Sequence, residues 1–157
     1  MYKKNILIII CFLLVSVIGY FFYNKIKQND EVERFYLENK YYNNGVFVDV
    51  NNTSLEKVKN ENFILFTYNN YCSMAKPCEE VFEEFMKKYK INFLSIPFED
   101  FKNTDFYKTV KYAPSIIVVE KGKVVGYLDA ESNDDLNKYQ DMKEFESWLN
   151  NYIYFSK

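Results

Sequence analysis

Two cysteines, Cys72 and Cys78, are the residues of this chain best suited to covalent chemistry; Ser73-Met74-Ala75-Lys76-Pro77 separates them. A thiolate attacks disulfides, and one placed where a strand gives way to a helix meets the unpaired amides and positive dipole end that stabilise it. Across a turn of this length the two Cα atoms can approach the ~4.4–6.8 Å that a disulfide needs. An oxidising compartment favours that bond.

The rest of the composition removes most alternatives. The chain has no histidine, which excludes His-ligated zinc or haem, Ser-His-Asp and Cys-His nucleophile pairs, and histidine pH switches. No metal site and no cofactor is expected. A net charge of −2 arises from 20 basic and 22 acidic residues mixed along the sequence, so nucleic acid is dropped as a partner.

The cysteines are held by elements that the pattern outlines. Phe63 to Tyr68 is a continuous apolar run, a strand buried on both faces. After the cysteine loop, Val81, Phe82, Phe85 and Met86 recur at helical spacing within Glu79 to Lys90, and Ile91 to Phe98 returns to strand. A helix is expected over Asn103 to Tyr112. Pro114 then opens a strand, Ser115 to Glu120, joined through Lys121-Gly122 to a second, Lys123 to Leu128. Leu136 to Tyr154 closes the chain as a helix with Phe145, Trp148, Leu149 and Ile153 inward. From Phe63 the order is β-α-β-α-β-β-α, which places helices on both sides of a small mixed sheet. Ahead of it, Val46 to Val50 reads as a strand and Thr53 or Ser54 as the start of a helix running to Glu61.

At 157 residues and 18.9 kDa the chain holds one domain and an appendage, and 48% hydrophobic residues supply a core. The appendage is amino-terminal. No residue from Asn5 to Asn24 is charged, and Ile6 to Tyr23 is almost wholly apolar. At about 1.5 Å per residue it spans roughly the 30 Å hydrocarbon core of a bilayer. Residues 1–24 are therefore expected to form a transmembrane anchor, with Lys3 and Lys4 inside and Tyr20 to Tyr23 as an interfacial aromatic belt. A cleaved signal peptide is the rival reading, disfavoured because the small residues signal peptidase needs are faint and lie inside the apolar run. Cys11 is lipid-facing bulk. Residues 25–45 are expected as a juxtamembrane helical stalk or linker, with Asn43-Asn44-Gly45 as its end, and residues 46–157 as the domain outside the cytoplasm, at the cell membrane in single-pass form; the alternative for the short helical pattern of Asp30 to Tyr42 is the first element of the domain.

Strand, aromatic-Cys, Pro-Cys, helix, strand, helix, Ala-Pro and hairpin, over about residues 46–155, resemble the thioredoxin-like superfamily. The resemblance implies an α/β three-layer sandwich with a mixed central sheet. It implies Cys72, preceded by Tyr71, as the attacking thiol and Cys78, preceded by Pro77, as the resolving thiol, with a Cys72–Cys78 disulfide in the oxidised form. It implies a cis proline at Ala113-Pro114, whose exposed backbone edge would bind an extended substrate together with Tyr71. Protein thiol or disulfide clients, and a membrane redox partner, are the implied partners.

Two departures from the family qualify the transfer. The spacer holds five residues where the family has two, which moves Cys72 outward and weakens its dipole activation. Phe66 stands where the family keeps a buried carboxylate, leaving water, Lys76 or Glu79 to accept the resolving thiol's proton. The alternative function is a non-catalytic thioredoxin-like accessory or binding module whose disulfide braces the loop. A peroxidatic Cys72 ranks last, because the Thr and Arg partners that activate peroxide at such sites are lacking, Arg34 being the single arginine. Tyr68 and Tyr71 serve either a substrate groove or simple coverage, and the acidic cluster Glu79, Glu80, Glu83 and Glu84 suits a helix amino terminus.

Overall fold

A computed structural model of the chain describes residues 33–69 and 77–156. Among them β1 (Phe47–Asp49), β2 (Phe63–Tyr68), β3 (Phe93–Pro97), β4 (Ser115–Glu120) and β5 (Lys123–Tyr127) form one mixed sheet in the order β1-β3-β2-β4-β5. β1, β3 and β2 run parallel, β4 is antiparallel to β2, and β5 is antiparallel to β4. β2 lies at the centre, which is why its sequence does not alternate: every residue from Phe63 to Thr67 is buried. Edge strand β5 has no fully buried residue and keeps charge at Lys123.

Five helices are described: α1 (Asn52–Val58), α2 (Cys78–Tyr89), α3 (Phe98–Phe101), α4 (Leu136–Gln140) and α5 (Met142–Leu149). Successive side chains of β2 point to opposite faces, so the two layers can be told apart. On one face Phe66 meets Phe82 of α2, ring centroids 5.5 Å apart, and Phe82 and Phe85 meet Phe145 of α5 at 4.8 and 5.2 Å. On the other, Phe63 meets Tyr41 and Phe106 at 6.4 and 6.0 Å. A buried side chain of this size contributes about 1.5–3 kcal/mol through burial alone, so the helical stripe Val81, Phe82, Phe85 and Met86, fully buried, anchors α2 to the sheet.

Several elements differ from the sequence expectation. Residues 33–45 are not a helical stalk. Apart from a 3-10 turn at Asn39–Tyr41 they form no helix, Phe35 bridges Ile153, and Leu37 and Tyr41 are 1% and 5% exposed. The apolar side chains assigned to a stalk are core residues, and the compact unit opens at Arg34. α1 starts earlier than expected because Asn51 caps it, its side chain accepting from Ser54 N at 2.9 Å while Ser54 Oγ accepts from Asn51 N. Asn103 to Tyr112 holds only a 3-10 turn, Asp105–Lys108. The final helix is two, because Asp141 takes an extended conformation and caps α5 through Lys143 N and Glu144 N at 2.7 and 3.1 Å. Among the described residues no helix is long and apolar enough to cross a membrane, and the expected anchor, residues 1–24, lies outside them.

One stitch fixes the start of β1. Gly45 adopts φ +71°, and a Cβ there would meet the Met86 carbonyl oxygen at 2.2 Å. Buried Asn92 accepts from Gly45 N and Val46 N at 2.8 and 3.1 Å, satisfying two amides that precede the strand.

Candidate functional site

Cys78 is the first residue of α2, with Pro77 as its cap residue. Proline there loses nothing, since the first amides of a helix have no partner within it. The Cys78 side chain is fully buried, and its Sγ donates to Glu79 Oε2 at 3.5 Å. Tyr71 and Cys72, together with the expected Cys72–Cys78 pairing, lie outside the described residues.

The Ala113–Pro114 peptide bond is cis, the geometry the resemblance implied, and Pro114 is buried immediately before β4. Asn69, the residue after β2, donates from Nδ2 to the Ala113 carbonyl at 3.1 Å, while Thr67 pairs with Ser115 in register. The end of β2 and the Ala113–Pro114 turn are thus one hydrogen-bonded corner.

Tyr139 of α4 joins this corner to the cysteine helix. Its hydroxyl sits 2.8 Å from both the Pro114 and Leu128 carbonyls, its single proton shared between them. The ring packs against Phe82 of α2 with centroids 5.9 Å apart. Burial pushes the phenol far above the ordinary tyrosine range; the Ser115 contact opposes this, and the nearby Cys78 sulfur adds to it. Cys78 and Pro114 therefore share one neighbour and one end of the sheet.

Phe66, opposite α2, is 2% exposed and ringed by aromatics, with Phe47 at 5.2 Å and Tyr68 at 5.8 Å. β2 brings no carboxylate to the sulfur. Beside it, a cavity of about 270 Å³ opens at the carboxyl ends of β1, β3 and β2, lined by Phe47, Asp49, Phe66, Tyr68, Glu79, Glu83 and Ser95. Asp49 accepts from Ser95 Oγ at 2.6 Å, and Glu83 pairs with Lys87 at 2.7 Å. The crevice beyond the strand carboxyl ends is where open α/β sheets place their sites.

The sheet order β1-β3-β2-β4-β5, the helix that begins on a cysteine and the proline that begins β4 match a known architecture. Against solved structures, a protein described as having a thioredoxin fold is similar at TM-score 0.50 and 12% identity, over 66% of this chain and 93% of that one. This domain has a thioredoxin-like fold. Thioredoxins from Schistosoma mansoni (18% identity, 71% of this chain and 99% of that one, TM-score 0.48) and Arabidopsis thaliana (thioredoxin O2; 13%, 66% and 91%, 0.47) are also similar. No family model and no curated protein matches the chain. At these identities the thioredoxin likeness is one of fold.

Sequence reasoning did not single out Tyr139, Asn69 or Asp49. For Tyr139 a signal existed: a buried tyrosine needs a partner for its hydroxyl, and the buried Pro114 and Leu128 carbonyls supply one.

Proposed function

We propose that this chain is a membrane-anchored thioredoxin-like protein that exchanges thiols and disulfides outside the cytoplasm through Cys72 and Cys78. The observation that carries the proposal is Cys78 at the amino terminus of α2, linked through Tyr139 to the Ala113–Pro114 corner. Support for the compartment comes from the uncharged run Asn5 to Asn24 behind Lys3 and Lys4.

In the reducing direction the Cys72 thiolate attacks a client disulfide, forming a mixed disulfide and releasing one client thiolate. Cys78 then attacks Cys72 sulfur; the Cys72–Cys78 bond forms, the client's second sulfur leaves with the electron pair, and the client is reduced as the chain is oxidised. In reverse the same steps oxidise a client dithiol. The Ala113–Pro114 backbone and Tyr71 would hold the extended client segment.

Complete burial of the Cys78 side chain favours a second reading, a non-catalytic module in which the disulfide braces the loop. The full chain in detergent separates them. Cys78→Ala is expected to accumulate mixed disulfides at Cys72, and Cys72→Ser to abolish insulin reduction. A correctly folded Cys78→Ala that traps nothing, together with a pair whose potential lies well below about −300 mV, would establish the bracing role.

A further inference from the structure

Cys78 must lose a proton before it can attack, and its sulfur is buried, so the acceptor has to be a group already in contact with it. Around the sulfur the elements offer different chemistry. β2, the strand facing α2, presents Phe66, which is apolar and packs on Phe82 of that helix. α4 presents Tyr139, whose hydroxyl is committed to the Pro114 and Leu128 carbonyls and is held protonated by burial. α2 presents Glu79, with Oε2 3.5 Å from Sγ. Among the described residues the Glu79 carboxylate makes no other hydrogen bond or ion pair, in contrast to Glu83, which is neutralised by Lys87. Glu79 also lines the cavity of about 270 Å³, so the carboxylate that touches the sulfur opens on solvent beside Asp49 and Glu83.

We infer that Glu79 is the proton acceptor for Cys78 in thiol–disulfide exchange, and that the cavity is the proton's way to water. The inference rests on the exchange function proposed above. As Cys78 Sγ bonds to the Cys72 sulfur of a mixed disulfide, its proton passes to Glu79 Oε2 and the client sulfur leaves as thiolate. Glu79 returns the proton to solvent through the cavity, where the client thiolate is protonated. In the oxidising direction the transfers reverse. An acid of the first helical turn thereby does what a carboxylate on β2 would do in its place, from the solvent side of the sulfur instead of from within the sheet.

The test pairs two readouts in the full chain. In Cys72→Ser, with the tyrosine background removed by subtracting Cys72→Ser/Cys78→Ser, thiolate absorbance follows Cys78 alone. Adding Glu79→Gln removes an adjacent anion and is expected to move the Cys78 titration to lower pH, giving about tenfold more thiolate at a fixed pH per unit of movement. In the chain with both cysteines, the same substitution is expected to slow resolution of the mixed disulfide on the order of a hundredfold, the lower end of what a positioned base supplies, and to remove a limb of its pH profile. More thiolate with slower exchange is a combination that loss of packing does not produce. Glu80→Gln, which removes a neighbouring exposed charge, is expected to change neither by more than about twofold. An active chain in which Glu79→Gln matches the unaltered protein in both readouts overturns the role of Glu79 and leaves the exchange function standing. An unaltered chain with no exchange activity overturns the function, and the role of Glu79 with it.

Discussion

The Tyr139 hydroxyl lies 2.8 Å from the Pro114 carbonyl oxygen, so a helix 25 residues further along the chain holds the backbone at the start of β4. The same oxygen reaches the Leu128 carbonyl at the end of the β4–β5 hairpin. A buried phenol thus supplies the donor for two carbonyls at the strand ends, where the ladder no longer does.

Tyr139→Phe is expected to destabilise the domain by about 1–2 kcal/mol, since it leaves buried acceptors without a donor. Chemical denaturation reads the loss directly. The substitution also changes the alkaline limb. Burial raises the Tyr139 phenol above its unfolded value, so its contribution is complete below about pH 10 and is lost as pH rises beyond that. The unaltered protein is therefore expected to lose stability above about pH 10 more steeply than Tyr139→Phe. Parallel alkaline curves would contradict the assignment.

Asn92→Ala is expected to cost about 2–4 kcal/mol, because it strips the acceptor from the amides of Gly45 and Val46 together. Asn92→Asp, which keeps an oxygen at that place, is expected to lose less. Equal losses for the two variants in urea melts would show that packing, not acceptance, is what Asn92 provides.

Gly45→Ala is expected to destabilise by about 2–4 kcal/mol, through a positive φ and overpacking together. The contact that decides it is with backbone, the Met86 carbonyl, which cannot swing away as a side chain would. A melting temperature within a degree of the unaltered protein would refute this.

Glu146 of α5 accepts from Lys88 at 2.8 Å and from Tyr89 at 2.5 Å, both at the end of α2. The Lys88 bond first, and the Tyr89 bond second, hold its carboxyl below the ordinary glutamate range. A lowered carboxyl stabilises the fold above the unfolded value and loses that contribution as pH falls. Below about pH 4.3 the unaltered protein should accordingly lose more stability than Glu146→Gln, and the difference should shrink with added salt because the pair is near the surface. Identical acid limbs in thermal melts would remove the pair from the stability of the α2–α5 contact.

Much of this architecture was legible from hydrophobic period alone. The unbroken apolar run Phe63 to Tyr68 needed two covered faces, and Val81, Phe82, Phe85 and Met86 allowed only one helix face; both hold in the structure. The hairpin was marked by Lys121-Gly122, where both residues take positive φ. Period failed where local polar chemistry won. Asp141 interrupts a run that would otherwise continue as helix, because its carboxylate satisfies the first amides of a new one. Asn103 to Tyr112 has helical spacing yet folds as a single 3-10 turn whose Phe106 turns inward. For residues 33–45 the local pattern leaves a stalk and a first element of the domain open, and the contact that decides between them, Phe35 with Ile153, is long-range and has no local signature. At the site, a cysteine at the mouth of a helix followed from type and spacing, and the cis Ala113–Pro114 bond from the family resemblance. The contact between Sγ and Glu79 depends on which way a first-turn carboxylate turns, which sequence alone does not fix.

The pairing of Phe35 with the closing segment has a mechanical consequence. Phe35 N donates to Tyr152 O at 2.9 Å, Tyr154 N donates to Phe35 O at 3.0 Å, and Tyr42 Oη donates to Tyr154 O at 2.7 Å. Tension transmitted along the chain from before Arg34 is borne first by this small clasp, not by the central ladder. Shortening the chain at its far end, beyond Asn150, would unfasten the clasp and free the leading segment to peel away, so the two extremities of the domain tolerate trimming or fusion only as a pair.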